Sequence, residues 1–148
     1  MPLSPEAAEF IQDNGSAAMI TLGDDGVPKA VRVGVALVDG KPWSSGHRRR
    51  VRTERLRRDP RCTLFLFDPR FAYLTLETSV SILDGPDAPE LNLRLFRGMQ
   101  KRPSGPLMWY GEELEEDAFL QRMVDEGRLI YEFDVLKSYG LFQPIGRS

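Results

Sequence analysis

The residues with the clearest chemical potential are eight arginines between positions 48 and 61. Arg48, Arg50 and Arg52 lie where an apolar strand is expected to give way to a short helix. Unpaired backbone N–H groups and the positive end of a helix dipole meet at such a junction. Guanidinium groups bind phosphate oxygens through short, charge-assisted hydrogen bonds. Three interpretations are open: a site for a small phosphorylated ligand, a nucleic-acid patch, or a solvated helix with surface ion pairs.

The distribution of charge favours the small ligand. Only Glu54 and Asp59 oppose the eight arginines, so residues 48–61 carry +6, whereas the whole chain carries −2. The remainder is therefore near −8, and nucleic-acid-binding proteins usually spread positive charge over a face and have a high pI. We predict an anion site at the start of the segment and no nucleic-acid partner. Surface roles are assigned to three later arginines, namely Arg57, Arg58 and Arg61.

Few other residues could carry out covalent or acid–base chemistry. Cys62 and His47 are the only residues of their types, which argues against a disulfide, a Cys/His zinc site and a hydrolytic triad. The chain contains no GxSxG or GxGxxG motif, so neither a serine hydrolase nor a Rossmann dinucleotide site is expected. Such a small number of reactive side chains is typical of a protein whose bound cofactor supplies the chemistry. We expect no metal site, and we expect Cys62 to be a small buried hydrophobic residue.

The elements that must position the arginines follow from hydrophobic spacing and turn residues. In chain order, the sequence predicts a helix at Pro5–Asp13 after the N-cap Ser4, three strands within 16–46 with Asp-Gly turns, a helix at Arg50–Arg58, strands at 61–68 and 71–85, helices at 88–100 and 112–127, and a strand at 128–142. This pattern predicts a mostly β, six-stranded antiparallel split barrel with peripheral helices, forming one domain over 1–148. The last helix is expected to bury Phe119, Leu120, Met123 and Val124. Without a signal peptide or an apolar run of membrane length, a cytoplasmic location and no membrane partner are expected.

The order of these pieces resembles the pyridoxamine 5′-phosphate oxidase-like, FMN-binding split β-barrel superfamily. The chain is most similar to its branch of F-420-dependent flavin/deazaflavin oxidoreductases, class B. The resemblance runs from Pro5 to Leu141, and its most specific pieces are "LRRDPR" at 56–61 and "YGL" at 139–141. Residues 85–111 match least.

The resemblance implies a homodimer with the cofactor in a groove at the subunit interface and its phosphate on Arg50 and Arg52. The expected cofactor is F-420, with FMN as the alternative, because both carry a phosphate. Surplus arginines at 48, 49 and 55 could meet the anionic polyglutamate tail of F-420. The chain departs from its relatives in four places: Arg52 replaces Lys, Arg55 replaces Asn, Phe71 replaces Trp, and Glu77-Thr78 replaces Glu-Gly.

The predicted cofactor-binding residues come from the second strand, the strand before the arginines, the arginines themselves and one aromatic residue. They are Arg32, Val33, Gly34, Ser45, Arg48, Arg50, Arg52, Arg55 and Phe71. Gly34 is a strand glycine, which indicates either a bulge or a place where a ligand approaches the backbone. Phe71 could stack on a flat ring. Trp109 and Tyr110 form either a lid over the ligand or a satellite hydrophobic cluster.

The function expected from the resemblance is hydride transfer from reduced F-420 to an organic acceptor such as an enone, a quinone or a tetrapyrrole. Two alternatives remain open: an FMN-dependent enzyme like pyridoxamine-phosphate oxidase, or a non-catalytic flavin or deazaflavin carrier. No catalytic residue is assigned, and the proton could come from Tyr73, Tyr110 or solvent.

Overall fold

The computed structural model describes residues 3–142, which form four helices and nine strands. In chain order these are α1 (Pro5–Asp13), β1 (Ser16–Leu22), β2 (Pro28–Gly34), β3 (Ala36–Val38), β4 (Lys41–His47), α2 (Val51–Arg58), β5 (Arg61–Phe67), β6 (Tyr73–Leu83), α3 (Ala88–Gln100), β7 (Leu107–Trp109), β8 (Glu112–Leu114), α4 (Glu116–Glu126) and β9 (Arg128–Leu141). None of these helices is both long enough and apolar enough to cross a lipid bilayer.

Seven strands form one antiparallel sheet, in the order β2-β1-β5-β6-β9-β4-β3. The two edge strands, β2 and β3, are consecutive in the chain and separated only by Val35. The β2 edge comes back to β4 at the other end of the sheet, where Ser44 Oγ donates a hydrogen bond of 2.8 Å to the carbonyl of Gly34. The sheet therefore curls into a barrel in which β2 and β3 act as one bent strand. Counted in this way the barrel has six strands, and the predicted fold class is confirmed.

The barrel is held together by apolar side chains that alternate along its strands. Within the main core cluster, the strand side chains with no solvent exposure at all come from four strands: Met19, Leu64, Leu66, Leu74, Leu76, Leu129, Tyr131 and Phe133. Each such side chain contributes about 1.5–3 kcal/mol by leaving water. The predicted burial of Cys62 is also confirmed. On the opposite face of β5, Phe65 and Phe67 lie 5.7 Å apart between ring centres and form an outer aromatic row with Tyr73.

One predicted element is wrong at its start. The helix expected at 112–127 begins at Glu116, because Glu112–Leu114 pairs with Leu107–Trp109 as the hairpin β7–β8. The turn between them has positive φ at both Tyr110 and Gly111, 48° and 79°, as a tight antiparallel hairpin requires.

The buried face of α4 is also narrower than predicted. Phe119 and Met123 are fully buried, Leu120 is half-buried, and Val124 is 56% exposed, so Val124 does not belong to the packed face. The helix ends as expected at Gly127, which has the left-handed conformation that a C-cap glycine adopts.

Candidate functional site

A groove of about 390 Å³ opens where β2, β4, the start of α2, α3 and the β7–β8 turn approach one another. That volume is within the range of small-molecule sites in proteins. Its lining combines strand backbone, guanidinium groups and an apolar wall. The lining residues are Arg32, Val33, Gly34, Ser44, Ser45, Arg50, Arg52, Phe96, Met99, Met108, Trp109, Tyr110 and Arg128.

The groove is built for negative charge. Four arginines and no Asp or Glu line it. Arg52 Nε is buried and has no hydrogen-bond partner among the described residues. Buried donors are almost always satisfied in folded proteins, so an unpartnered one marks a position where an acceptor is expected to bind. A phosphate oxygen is such an acceptor.

The eight arginines of the 48–61 segment divide into two equal groups. Four form salt bridges on the surface: Arg48 and Arg57 with Asp84, Arg58 with Asp24, and Arg61 with Asp59. Within residues 3–142, the other four, Arg49, Arg50, Arg52 and Arg55, form no salt bridge. Only Arg50 and Arg52 of that second group also line the groove. The arginines that form surface ion pairs are thus different from Arg50 and Arg52, the two residues predicted to bind the phosphate and called the phosphate pair below.

The corner that carries Arg50 and Arg52 is fixed to the barrel by Thr53. Thr53 Oγ1 donates a hydrogen bond of 2.7 Å to the carbonyl of His47, the last residue of β4. The same hydroxyl shares a short hydrogen bond with the phenol of Tyr131, and both side chains are fully buried. Helix α2 begins directly after Arg50, which is its N-cap. The two guanidinium groups therefore project from an anchored turn.

His47 reports the positive electrostatic field at this corner. Its pKa is lowered, first by burial and then by the charges of Arg128, Arg50 and Arg49. Its Nδ1 accepts a hydrogen bond of 3.1 Å from the backbone N–H of Arg49, which a neutral ring permits. The same field that disfavours an imidazolium stabilises a bound anion.

The β2 side of the groove is shaped by Gly34. A Cβ at this position would overlap the terminal methyl of Met99 from α3, so within this chain the group that approaches the Gly34 backbone is Met99. Ser45 Oγ donates a hydrogen bond of 2.6 Å to Asn92 Oδ1, and Asn92 is buried on α3. Arg32 Nε donates to Ser16 Oγ at 2.7 Å. Because Gly34 has no side chain, Met99 of α3 can pack directly against the backbone at the end of β2.

Six of the nine predicted cofactor-binding residues are brought together in the groove, namely Arg32, Val33, Gly34, Ser45, Arg50 and Arg52. The other three lie elsewhere in the same chain. Arg48 is held by Asp84 at 2.6 Å, Arg55 lines a surface depression beside the β1–β2 turn, and Phe71 is 90% exposed. Their predicted roles toward the cofactor stay predictions.

Of the two interpretations of Trp109 and Tyr110, the satellite cluster is confirmed for Trp109, and the lid over a ligand stays a prediction. Trp109 is buried in a satellite cluster with Leu107, Leu114, Phe119 and Met123, and its ring also lines the groove. Tyr110 lines the groove and is 83% exposed.

The sequence prediction missed Arg128, whose side chain lines the groove. It lies opposite His47 in the β4–β9 register, so correct pairing of the last strand would have found it. Phe96 and Met99 on α3 and Met108 on β7 were also missed, because apolar side chains alone do not distinguish a groove wall from the protein core.

A second cavity, of about 710 Å³, adjoins the groove at Arg32 and is less suited to an anion. It lies between β1, β2 and the turn at 67–69. Arg32 is its only basic lining residue, and Asp13 and Asp68 also line it. The smaller groove is the candidate anion site because its lining charge is +4 without an opposing carboxylate.

The groove can bind and orient a ligand but offers little covalent chemistry. Burial raises the pKa of the Cys62 thiol to about 12, so this sulfur is not a nucleophile near neutral pH. The described residues contain no group of three or more His, Cys, Asp or Glu side chains placed to hold a metal ion. Of the two tyrosines considered as proton donors, Tyr110 lines the groove, whereas Tyr73 packs against Phe65 on the outer face.

An antiparallel split barrel with a basic groove at a strand-to-helix corner defines a class of small-ligand-binding barrel proteins. The sequence profile described as pyridoxamine 5′-phosphate oxidase matches residues 3–137. Because the match spans most of the chain, the protein belongs to this family, and the predicted superfamily is confirmed. No curated protein matches the chain by sequence.

Solved structures show the same fold at low sequence identity. The conserved hypothetical protein Rv2991 from Mycobacterium tuberculosis is 21% identical, with a TM-score of 0.74 over 99% of this chain and 94% of that one. A protein described as an F420 reductase is 18% identical, with a TM-score of 0.67 over 94% and 98%. HutZ, the heme storage protein from Vibrio cholerae, is 16% identical, with a TM-score of 0.64 over 94% of each chain. At these identities the likeness shows the fold alone.

Proposed function

We propose that the protein is an F-420-dependent oxidoreductase that reduces an organic acceptor. The observation that carries this proposal is the pair Arg50 and Arg52, free of salt bridges within the described residues, with Arg52 Nε buried and unpartnered in the groove. These donors fit a phosphate group, which F-420 carries. The groove wall beside them is apolar and aromatic, as a flat ring system requires.

The division of labour follows from the groove lining. Arg50 and Arg52 would hold the phosphate, the β2 backbone from Arg32 to Gly34 would flank the ring, and Trp109 would help to exclude water. Reduced F-420, when bound, would supply the hydride. The protein contributes binding, orientation and proximity, which suits a site with few acid–base groups. The proton would come from Tyr110 or from solvent.

F-420 is favoured over FMN because the basic segment has two further arginines that are neither in ion pairs nor part of the phosphate pair. Arg49 and Arg55 form no salt bridge within the described part of the chain and lie outside the groove, where they could meet the anionic polyglutamate tail. We further propose that two copies of the chain form a homodimer whose interface completes the cofactor site.

A non-catalytic carrier is the second candidate. It is favoured by the groove lining, which contains no carboxylate or histidine and only one phenol, Tyr110. A carrier needs the phosphate pair but no proton donor.

Parallel equilibrium titrations with F-420, FMN and NADPH test the proposed cofactor. We expect F-420 to bind most tightly, and tighter binding of FMN would replace it with the alternative cofactor. Stopped-flow mixing of the reduced complex with enones and quinones then separates enzyme from carrier. An oxidation rate no faster than that of free reduced cofactor with every acceptor would support the carrier.

A further inference from the structure

Arg128 differs from the other guanidinium groups of the groove in being buried and held in one orientation. Its side chain is 9% exposed. Nε donates a hydrogen bond of 3.0 Å to Glu126 Oε1, and Nη2 forms an ion pair with the same oxygen at 2.9 Å. Its Cζ lies 5.0 Å from the centre of the Trp109 ring. A guanidinium stacked on an aromatic face and fixed by a carboxylate is preorganised to bind a planar anion.

Glu126 holds both sides of this arrangement. Its Oε2 accepts a hydrogen bond of 3.1 Å from Trp109 Nε1, while Oε1 holds Arg128. The groove-lining Trp109 is thereby tied to the first residue of β9. Nη1 of Arg128 makes no hydrogen bond within the described residues, so one edge of the fork is left for a ligand.

The charges in the groove exceed what one phosphate requires. Arg50 and Arg52 suffice for a phosphate, and the other two guanidinium groups, Arg32 and Arg128, keep a net charge of +1 after Glu126 has paired with Arg128. Arg128 lies beside the aromatic wall and not on α2. Its Nη1 edge, next to Trp109, fits a second anionic group on a molecule with a flat apolar body.

We propose that Arg128, held against Trp109 by Glu126, determines specificity for the second substrate, which is a flat, conjugated acceptor bearing a carboxylate. This inference rests on the proposed oxidoreductase function. The carboxylate is a recognition group and is unchanged by the reaction. The conjugated system of the acceptor gains the hydride and a proton from Tyr110 or solvent, and the cofactor is oxidised by the same two electrons.

A matched pair of acceptors tests the proposal: a naphthoquinone bearing a carboxylic acid side chain and its methyl ester. We expect the wild-type protein to prefer the acid by about tenfold or more in kcat/KM, as one charged hydrogen bond implies. Arg128→Gln should abolish this preference through KM and weaken cofactor binding much less than Arg52→Ala does. Calorimetric titration of both compounds into the cofactor-free protein should show the same preference without turnover.

Arg94 provides the matched control. It too lies over a tryptophan, with Cζ 5.8 Å from the Trp43 ring, and pairs with Asp39 at 2.9 Å, but it does not line the groove. Arg94→Gln should keep the preference for the acid. If Arg128→Gln does not fold, Arg128→Lys and the double variant Arg128→Gln/Glu126→Gln repeat the test. The first keeps the charge without the fork, and the second avoids leaving the partly buried Glu126 carboxylate without its guanidinium partner.

The outcomes separate this inference from the proposed function. Equal affinity for acid and ester in the wild type, or a preference that survives the Arg128 variants, overturns the inference. Weaker cofactor binding by Arg128→Gln, as strong as that of Arg52→Ala, also overturns it by assigning Arg128 to the cofactor. If neither F-420 nor FMN binds while calorimetry still shows the acid preference, the proposed function fails and the carboxylate site stands. If none of these ligands binds, both fail.

Discussion

At the residue scale, the division of the basic segment was only partly visible in the sequence. The residues predicted an anion site around Arg48, Arg50 and Arg52, and the family resemblance assigned the phosphate to Arg50 and Arg52. The surface roles predicted for Arg57, Arg58 and Arg61 are confirmed by their ion pairs. The ion pair of Arg48 was not predicted, because its partner Asp84 follows β6 more than thirty positions away. Local sequence could not reveal this, because the ion pairs depend on how the barrel brings β6 beside α2.

The phosphate pair makes the first prediction. Arg50→Ala and Arg52→Ala should each weaken F-420 binding by about 1–3 kcal/mol, since each removes a charged hydrogen bond. The control is Arg61→Ala, whose guanidinium is occupied by Asp59 at 2.7 Å outside the groove. Cofactor fluorescence titration measures all three affinities. Wild-type affinity in both groove variants would contradict the assignment of the site.

The buried thiol makes a second prediction, in which pH acts on stability. Burial raises the pKa of Cys62 from 9.0 to about 12, so the folded state keeps its proton while the unfolded chain loses it. The stability contributed by the protonated thiol is therefore complete below about pH 9 and is lost as pH rises from 9 toward 12.

Two measurements check this behaviour. At pH 8 a disulfide reagent such as DTNB should label the native protein far more slowly than the urea-unfolded chain. Alkaline denaturation of Cys62→Ala should show a shallower loss of stability above pH 9 than the wild type. Rapid labelling of the native thiol at pH 8 would show that the sulfur is accessible and its burial transient.

At the element scale, the join between β4 and α2 depends on one buried hydroxyl pair. Thr53→Val leaves the Tyr131 phenol without its partner in the barrel core and should cost about 1–3 kcal/mol of unfolding free energy. Thr53→Ser keeps the hydroxyl and should retain most of that stability. Urea denaturation measures both, and a Thr53→Val variant as stable as the wild type would show that the pair does not hold the corner.

The elements predicted best were those whose turns carry chemical signals. Ser4-Pro5 marked the start of α1, and Asp59-Pro60 marked the end of α2, in agreement with the structure. The β7–β8 hairpin escaped prediction because its turn, Tyr110-Gly111, places a bulky residue at positive φ. Acidic residues there resembled a first helical turn. The helical preference of residues 112–114 was overridden by their pairing with β7, although each of the two strands has only three residues.

At the scale of the whole molecule, the barrel could be predicted while its groove could not. Alternating apolar residues in β5, β6 and β9 are sufficient to indicate a curled antiparallel sheet. The groove also needs α3 to lie over β3 and β4 and to reach the end of β2, which depends on the Ser45–Asn92 hydrogen bond and on the contact between Gly34 and Met99. Both contacts join positions more than forty residues apart, so no local sequence pattern predicts them.

The outer face of the barrel leads to the last prediction. Phe67, Tyr73 and Leu141 lie opposite one another on β5, β6 and β9, and Tyr139 lies one row further along the barrel. Phe67 is 57% exposed, and Phe71 extends from the following turn. An exposed apolar row of this kind marks an interaction surface. In the proposed homodimer it would be covered by the second protomer, which would also explain how Phe71 could serve a groove that it does not line in its own chain.

We therefore expect the wild type to sediment at twice the 16.8 kDa chain mass. The double variant Phe67→Asp/Phe71→Asp should sediment as a monomer, because burying two carboxylates in an apolar interface is strongly unfavourable. It should also bind F-420 more weakly, since each groove would lose the part supplied by the partner. Val124→Asp, an exposed apolar position on α4, is the control and should stay dimeric. Analytical ultracentrifugation decides the point: a monomeric wild type excludes the homodimer, and a double variant that remains dimeric places the interface on another face.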